Sequence, residues 1–295
     1  MARRDVRCGL MLRSFIDGIP LDLAGTLLPA RTRVNLGLAT HIHAHAAAQS
    51  RYAATAAGAR RPVMSALKQA ALLDSLRRTV QGLDWQPRAT PWAGYADATS
   101  YSDRAARSKD SIVEGFLRSR TPGIVWDIGA NTGRFSAIAS QLGNRVIAWD
   151  LDPGAVELHY RALKQAGDRL ILPLIVDLAN PSSADGWAGA ERRSFIERAN
   201  ADTVLALALV HHMAIGRNIP LPSLAEMFAR LAPELIVEFI PKDDPMVGRL
   251  LANREDVFAD YTAAGFRGAF ESAFEIVDEM PIDDSQRWLF RMRRR

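Results

Sequence analysis

A buried strand, a glycine turn and a helix can be read from one stretch of this 295-residue chain. The apolar run 123–126 ends in Asp127, the chain then passes through Gly129 and Gly133, and an amphipathic segment follows at 135–142. Glycines at such a turn let the backbone bend sharply and approach a ligand closely, because they carry no Cβ. The stretch therefore predicts the opening unit of a doubly wound α/β domain.

The glycine turn does not match the fingerprint of dinucleotide-binding proteins. That fingerprint is G-x-G-x-x-G, and counting from Gly129 its second and third glycine positions hold Asn131 and Arg134 here. A side chain as large as that of Arg134 would hinder the close packing of helix on strand that a pyrophosphate loop requires. The sequence therefore disfavours a nicotinamide or flavin cofactor.

Two later apolar runs also end in an aspartate, as the first run does. Residues 145–149 lead into Asp150, and residues 170–176 lead into Asp177. Asp150 follows the glycine turn by about twenty residues, where a carboxylate can accept hydrogen bonds from ribose hydroxyls. Aspartate is also frequent after strands because it caps the next helix, so for Asp177 capping and ligand contact both remain open.

The order Asp127-x-Gly129-x-Asn131-x-Gly133 resembles motif I of the class I S-adenosylmethionine (SAM)-dependent methyltransferases, with asparagine at the position of the usual middle glycine. The resemblance implies that SAM is the cofactor, and that a group at the end of the third strand binds the adenine amino nitrogen. The residues expected to bind SAM are Asp127, Gly129, Asn131, Gly133, Asp150, Leu151, Asp177 and Leu178.

The remainder of the chain is patterned like the rest of such a domain. We predict helices near 191–200, over 222–231 and from 245 to about 264, and strands at 202–210, 234–240, 274–280 and 287–293. The last two strands would form the closing β-hairpin that class I methyltransferases add to an open parallel sheet. The predicted fold is α/β, a Rossmann-like doubly wound sheet that is mostly parallel and ends in this hairpin, over residues 105–295.

Three longer phrases resemble a family of bacterial methyltransferases that includes the nodulation-associated NoeA-type proteins. They lie at 125–133, 206–213 and 236–244, and the N-terminal phrase at 17–24 also fits. Other members of that family are expected to carry more sequence ahead of the N-terminal phrase. The substrates of the family are poorly defined, so this narrower resemblance adds little about the acceptor of the methyl group.

The composition is that of an ordinary soluble protein, with 48% hydrophobic and 24% charged residues. The single cysteine, Cys8, excludes an intramolecular disulfide and fits a reducing compartment. No apolar stretch approaches the length that spans a membrane, and the first fifteen residues lack the uninterrupted apolar core of a secretory signal. We therefore expect a cytoplasmic protein that is not bound to a membrane.

The net charge of +4 does not by itself indicate a nucleic-acid-binding protein. Much of the positive excess lies in arginine clusters near the two ends of the chain, Arg3, Arg4 and Arg7 and then Arg291, Arg293, Arg294 and Arg295. Arginines at chain ends are more often solvated than docked on a partner. Nucleic acid is therefore the less favoured partner.

Residues 1–104 are predicted to be a helical N-terminal extension. The stretch 39–59 is rich in alanine, and apolar residues recur at helical spacing from Pro62 to Gly82. Such a helix must bury its apolar stripe, either on the methyltransferase domain or on a second copy of the chain, so one prediction is a homo-oligomer. The segment 85–101, rich in proline, glycine and aromatic residues, would connect the two parts as a loop.

Three alternating histidines in this extension, His41, His43 and His45, suggest a metal site only weakly. On a helix, His41 and His45 share a face and would provide two of the three or four ligands that zinc requires. No cysteine or acidic residue lies nearby in the sequence. We therefore predict no bound metal, and favour packing or capping roles for these histidines.

His211 and His212 are the first candidate catalytic residues. They come directly after the strand predicted at 202–210, and ligands of α/β proteins bind beyond the carboxyl ends of strands. Because side chains alternate in direction, at most one of the two is expected to face the methyl group and serve as a base. The alternative is that the pair shapes the pocket or holds a loop.

Glu238 and Tyr101 complete the set of catalytic candidates. Glu238 lies inside an apolar run, where a charged group must find a partner or change its pKa; acceptor binding and a buried structural pair both remain open. Tyr95, Tyr101 and Lys109 precede the glycine turn, where this fold commonly lays a helix over the active site. Tyr101 is favoured among them, with a packed aromatic ring as the alternative.

The sequence after the fourth strand favours a small acceptor. Methyltransferases that act on the amino groups of bases or glutamine often carry Asn/Asp-Pro-Pro-Tyr there, where a flipped base would stack, but residues 210–213 read Val-His-His-Met. We predict transfer of a methyl group from SAM to an oxygen, nitrogen or carbon of a small molecule. The alternatives are methylation of RNA or protein, and a SAM-binding scaffold without turnover.

Overall fold

The computed structural model describes residues 1–52, 64–86, 101–252 and 254–295. The chain divides into two compact units, the first formed by residues 1–86 and 185–192, and the second by residues 87–184 and 193–295. The domain boundary that we expect between residues 104 and 105 stays a prediction. No helix among the described residues is long and apolar enough to cross a membrane.

The main regular elements described in the first unit are helices. They are α1 (Leu21–Leu27), α2 (Leu36–Leu38), α3 (His45–Tyr52) and α4 (Ala66–Gln81), with 3₁₀ turns at Val6–Arg13 and Ala30–Val34 and a π-helical turn at Ala39–Ala44. The alanine-rich stretch is thus helical up to Tyr52, as predicted, and its remainder lies outside the described residues, as does Pro62. Ser65 begins α4, because its Oγ accepts the Lys68 N–H (3.4 Å).

Two of the three histidines in this unit contact hydroxyl groups. His41 Nε2 lies 2.9 Å from Ser75 Oγ, and His43 Nε2 lies 2.8 Å from Thr32 Oγ1. In the part of the chain that the structure describes, no three His, Cys, Asp or Glu side chains are grouped as a metal site would need. These contacts agree with local packing of the histidines.

Helix α4 leaves its apolar stripe exposed. Leu67, Leu73 and Val80 are 81%, 65% and 63% exposed, so the described residues of the first unit do not cover the stripe. The helix instead packs Thr79 against Gly37, where an added Cβ would collide with the threonine. Burial of the stripe, on the methyltransferase domain or on a second copy of the chain, stays a prediction.

Seven strands of the second unit form one mixed sheet. They are β1 (Ile124–Ile128), β2 (Arg145–Asp150), β3 (Ile171–Ile175), β4 (Thr203–Ala206), β5 (Glu234–Phe239), β6 (Phe274–Pro281) and β7 (Trp288–Arg294). Their order is β3-β2-β1-β4-β5-β7-β6. The first five strands are parallel, and β7 is antiparallel to both β5 and β6. This confirms the predicted sheet with its closing hairpin.

The helices of the second unit connect and cover these strands. In the described residues they are α5 (Asp103–Arg118), α6 (Arg134–Gln141), α7 (Pro153–Ala166), α8 (Leu221–Leu231), α9 (Pro245–Leu251) and α10 (Ala263–Glu271). Helices α5 and α6 share one apolar core with the sheet, and α8 and α10 share another. The strand order reverses between β1 and β4, which is the place where open α/β sheets bind ligands.

The prediction of a charged helix near 191–200 is wrong. Only a 3₁₀ turn forms there, at Ile196–Arg198. The carboxylate of Glu197 accepts both the N–H and the Oγ–H of Ser194 at 2.7 Å and so ties a tight turn. Phe195 packs on the indole rings of β1 and β2. Apolar packing and a local side-chain cap therefore override the helical pattern.

The helical pattern predicted from 245 to about 264 is interrupted. Helix α9 ends at Leu251 and α10 begins at Ala263. Thr262 Oγ1 accepts the Gly265 N–H at 3.0 Å and starts the second helix anew. A capping threonine near the end of the predicted pattern is the sequence signal that a separate helix starts there.

The strand predicted at 202–210 is shorter than expected. It ends at Ala206, because Ala208 adopts a φ of +50°. That left-handed conformation cannot continue a strand. The chain therefore turns two residues after β4 and enters a π-helical turn at His212–Gly216.

The arginines near the C-terminus are held by the sheet. Arg291 and Arg293 lie in β7 and form ion pairs with Asp278 (2.6 Å) and Glu234 (3.0 Å). Arg295 Nε donates to two backbone carbonyls, 2.9 and 3.1 Å away. These arginines are therefore engaged within the second unit rather than forming a free tail.

Candidate functional site

The glycine turn after β1 takes a conformation that its sequence allows. Gly129, Asn131 and Gly133 have φ values of +78°, +49° and +88°, in the left-handed region that glycine and asparagine enter at least cost. The N–H groups of Gly129 and Ala130 donate to the carbonyl of Trp149 (2.8 and 3.1 Å). The turn is thereby tied to the carboxyl end of β2.

A side chain at Gly133 would collide with its surroundings, and one at Gly129 would meet a neighbour at van der Waals distance. A Cβ on Gly133 would overlap the imidazole of His159 in α7, and a Cβ on Gly129 would lie 3.4 Å from Leu209 Cδ1 in the loop after β4. His159 is buried, and burial lowers the pKa of its ring. The turn is therefore close-packed from behind, as a loop that presents its backbone to a ligand must be.

Asp150 ends β2 beside this turn. Its Oδ2 accepts the Asn131 N–H (2.9 Å) and its Oδ1 accepts the Asp152 N–H (2.8 Å), while burial raises the pKa of the carboxyl. Each carboxylate oxygen has a second lone pair that can accept from a ligand hydroxyl. The adjacent Leu151 is 52% exposed and offers apolar surface at the same edge.

Asp127 lies in β1 and is buried. Ser136 Oγ in α6 donates to its Oδ2 (2.6 Å), which braces the start of that helix against the strand. Burial is the main cause that raises the pKa of Asp127 to about 6, and the charge of Asp150 adds to the rise. The structure thus brings Asp127 next to the glycine turn, with a protein hydroxyl as its hydrogen-bond donor.

Asp177 and Leu178 follow the carboxyl end of β3. Asp177 Oδ1 accepts the Ala179 N–H (2.9 Å), and Arg217 Nη2 lies 3.4 Å from Oδ2. Leu178 is buried in the apolar core. Turn formation is therefore one role of Asp177, and its contact with an adenine stays a prediction.

His211 and His212 lie just beyond β4, with their ring centroids 4.1 Å apart. His211 has no exposed surface, and neither of its ring nitrogens has a hydrogen-bond partner among the described residues. Burial lowers the pKa of His211 well below its usual value, and the neighbouring His212, Arg287 and Lys109 lower it further. A buried imidazole with two unengaged nitrogens is costly unless a ligand or water binds it.

Glu238 in β5 is the centre of a buried charged cluster. Its Oε2 accepts from Lys109 Nζ (2.7 Å) and from the Ala208 N–H (2.7 Å). Its Oε1 accepts from the Tyr101 hydroxyl and lies 3.8 Å from Arg287 Nη1. Four segments that are distant in the sequence therefore meet at one carboxylate.

Arg287 is the member of this cluster that sequence analysis missed. It precedes β7, is 2% exposed, and donates to Asp244 at 2.7 and 3.1 Å. Its guanidinium lies over the Tyr101 ring, 4.1 Å from the centroid. The available signal was the charge of Glu238, which calls for a buried cation, but no spacing indicates which of 37 lysines and arginines supplies it.

Two of the three residues considered ahead of the glycine turn join the cluster. Lys109 Nζ donates to the Tyr101 hydroxyl (3.1 Å), and Tyr95 lies outside the described residues. Burial raises the pKa of Tyr101, and the charge of Glu238 raises it further. Tyr101 therefore stays protonated, and its hydroxyl donates a hydrogen bond to Glu238.

Comparison with curated proteins finds a relative of this chain. It is 36% identical over 226 residues to the nodulation protein NoeA of Rhizobium meliloti (strain 1021), a match that covers 76% of this chain and 47% of NoeA. The chain thus spans about half the length of the curated relative that it matches. No family model matches the chain.

Similar solved structures include the N-methyltransferase NodS of Bradyrhizobium japonicum WM9, with a TM-score of 0.47, 13% identity, and coverage of 65% of this chain and 98% of NodS. The magnesium protoporphyrin IX methyltransferase ChlM of Synechocystis PCC 6803, crystallised with bound SAM, has a TM-score of 0.46 and 17% identity, and the match covers 67% of this chain and 86% of ChlM. The chain is thus similar in sequence to NoeA over 226 residues, and its second unit is a Rossmann-like sheet that ends in an antiparallel hairpin.

Proposed function

We propose that this protein is a SAM-dependent methyltransferase that transfers a methyl group to an oxygen, nitrogen or carbon atom of a small molecule. The observation that carries the proposal is the glycine turn, packed against His159 and joined to Asp150 at the carboxyl edge of β1 and β2. The reversal of strand order between β1 and β4 supports it, because ligands of α/β sheets bind there.

The residues at the glycine turn fit the nucleoside part of SAM. Glycine is needed at position 133 because a Cβ there would overlap His159 behind the turn, and Asp150 has lone pairs for the ribose hydroxyls. SAM supplies an already activated methyl group, so the chain mainly has to bind, orient and exclude water. The proposed SAM-binding residues are Asp127, Gly129, Asn131, Gly133, Asp150, Leu151, Asp177 and Leu178.

His211 is the proposed base on the acceptor side. Its lowered pKa keeps the ring neutral at neutral pH, so a ring nitrogen can accept the proton that a hydroxyl or ammonium loses when it is methylated. His212 is the second candidate, because its ring lies beside that of His211 and burial also lowers its pKa. Both residues follow β4, next to the point where the strand order reverses.

A small acceptor is favoured over RNA or a protein. Arg291 and Arg293, which could have bound a polyanion, are paired with Asp278 and Glu234 in the sheet. An enzyme that acts on RNA is expected to bind it with a strong dependence on salt. Salt-sensitive binding of mixed RNA by this chain would favour the alternative.

Titration calorimetry with SAM tests the proposal, followed by a screen of candidate acceptors for conversion of SAM to S-adenosylhomocysteine. We expect SAM to bind, and one class of small acceptor to stimulate conversion. Absence of SAM binding at high protein concentration would contradict the proposal. Binding without conversion by any acceptor class would favour a SAM-binding scaffold.

Substitution of the two histidines tests the base. His211→Ala or His212→Ala is expected to lower turnover more than SAM affinity, because a base acts in the transition state. His41→Ala is the matched control, since His41 lies in the first unit and contacts Ser75. Wild-type turnover in both His211→Ala and His212→Ala would show that neither histidine is the base.

A further inference from the structure

Ala208 takes a backbone conformation that alanine rarely adopts. Its φ is +50°, in the region where the Cβ of an L-residue crowds the following carbonyl. It is the second residue after β4, in the loop that reaches His211 three residues later. A conformation of this kind persists only where the surrounding structure over-determines it.

This turn lies between the charged cluster and the glycine turn. Glu238 Oε2 on the neighbouring strand β5 accepts the Ala208 N–H at 2.7 Å. On the other side, Leu209 Cδ1 lies 3.4 Å from the position that a Cβ on Gly129 would take, which brings the loop beside the glycine turn. The first contact joins the turn to the charged cluster, and the second joins it to the glycine turn.

The carboxylate of Glu238 is enclosed by protein donors. Lys109 Nζ donates to Oε2 at 2.7 Å, the Tyr101 hydroxyl donates to Oε1, and Arg287 Nη1 lies 3.8 Å from Oε1. Glu238 is only 1% exposed. Both oxygens of this carboxylate already accept hydrogen bonds from protein groups, which fixes the side chain in place.

We propose that Glu238 is a positioning residue, which holds the left-handed turn at Ala208 and thereby sets the position of His211 at the carboxyl edge of the sheet. Tyr101 and Lys109 act through the same carboxylate. The inference rests on the proposed function, in which His211 faces the acceptor. The sequence left two roles open for Glu238, acceptor binding and a buried structural pair. The proposal assigns it the second role, through which it acts indirectly on the reaction.

A glycine at position 208 tests whether Glu238 acts by holding the turn, because glycine takes a φ near +50° without strain. In Glu238→Gln the Ala208 N–H loses its charged acceptor, so we expect hydrogen exchange at that amide to accelerate by at least about tenfold, with shifted NMR signals of the His211 ring. In Glu238→Gln/Ala208→Gly the turn no longer needs the carboxylate. We expect the His211 signals to return to their wild-type positions.

Two further variants keep the test decisive. Glu279→Gln is the matched control, since it neutralises a carboxylate paired with Arg267 away from the loop after β4, and it should leave both signals unchanged. Because Glu238→Gln leaves Lys109 with an unbalanced buried charge, Lys109→Met/Glu238→Gln is made in parallel, and rescue by Ala208→Gly is expected there too. Unchanged signals in the folded variants that carry Glu238→Gln, or a glycine that fails to restore the His211 signals, would overturn the proposal.

These NMR signals need neither SAM nor an acceptor, so they remain readable if the proposed methyltransferase function fails. SAM titration of the same variants tests that function separately. We expect Glu238→Gln to change SAM affinity by less than about threefold, because the carboxylate acts on the acceptor side of the edge. A loss of about tenfold or more would assign Glu238 to the cofactor side and overturn the proposal.

Discussion

The two halves of the carboxyl edge are built in opposite ways. At the ends of β1 and β2, backbone conformation sets the geometry, with Gly129 and Gly133 at positive φ and Asp150 bonded to N–H groups. At the ends of β4 and β5, buried side-chain charges that converge on Glu238 set it. The first half leaves no room for a Cβ at Gly133, and in the second half the charge of Glu238 is paired with buried cations.

Of the substitutions that test this comparison, removal of the Glu238 charge should have the largest effect on stability. Glu238→Leu is expected to lower the free energy of unfolding by about 3–5 kcal/mol, because Lys109 is left buried without its partner. Urea denaturation measures the change. Lys109→Met/Glu238→Leu should recover most of it, and Glu279→Leu, in a more exposed pair, should cost about 1 kcal/mol or less. Wild-type stability of Glu238→Leu would show that charge does not hold this half.

Adding one carbon tests the other half. Gly133→Ala should lower the free energy of unfolding by about 2–4 kcal/mol, because it combines a positive φ with overlap onto His159. Gly167→Ala is the matched control, with a φ of +69° and open space around it, and should cost about 1–2 kcal/mol. Equal losses in thermal or urea unfolding would mean that close packing behind the turn contributes nothing.

Removing the carboxylate at the turn should act on the cofactor more than on the fold. Asp150→Ala is expected to weaken SAM binding by about 1–3 kcal/mol, through lost charge-assisted hydrogen bonds. Asp177→Ala should weaken it by about 1 kcal/mol or less if turn formation is its main role. Calorimetry measures the SAM affinity of both variants. Unchanged affinity in Asp150→Ala would mean that Asp150 only stabilises the turn.

The two halves should also respond to pH with opposite signs. The folded His211 has a lowered pKa and stays neutral, while the unfolded chain takes up its proton below about pH 6.5; stability therefore falls as the pH drops through that value. Asp127, with a pKa raised to about 6, holds its proton more tightly in the folded state, so its contribution falls as the pH rises from about 4 to about 6.

Urea titrations of His211→Gln and Asp127→Asn at several pH values measure these two slopes. Each group contributes at most about 1.4 kcal/mol per pH unit. The slope between pH 5 and 7 should flatten in His211→Gln, and the opposing slope below about pH 6 should vanish in Asp127→Asn. Slopes equal to those of the wild type in both variants would contradict the burial of these groups.

The half built from backbone could be predicted from the sequence, and the half built from charges could not. The stretch from Asp127 to Asp150 is short, and its glycine turn and terminal carboxylate are hydrogen-bonded within it. The cluster joins Tyr101, Glu238 and Arg287, which no periodicity relates. The sequence therefore indicates that Glu238 needs a buried cation, but it does not identify Arg287 as one.

The prediction at 191–200 failed for a related reason. The charged stretch there was predicted to form a helix, but packing of Phe195 on the rings of Trp126 and Trp149 competes with it. Those rings come from β1 and β2, which are distant in the sequence. Tertiary contacts of this kind override weak local preference.

The sequence alone determined the succession of the seven strands, the glycine turn and the acid beside it, because these features depend on short stretches of the chain. Only the tertiary structure decided the partners of Glu238, the left-handed turn at Ala208 and the burial of His211. The physical reason is that a buried charge selects its counter-ions by distance in the folded state. Spacing along the chain carries no information about that distance.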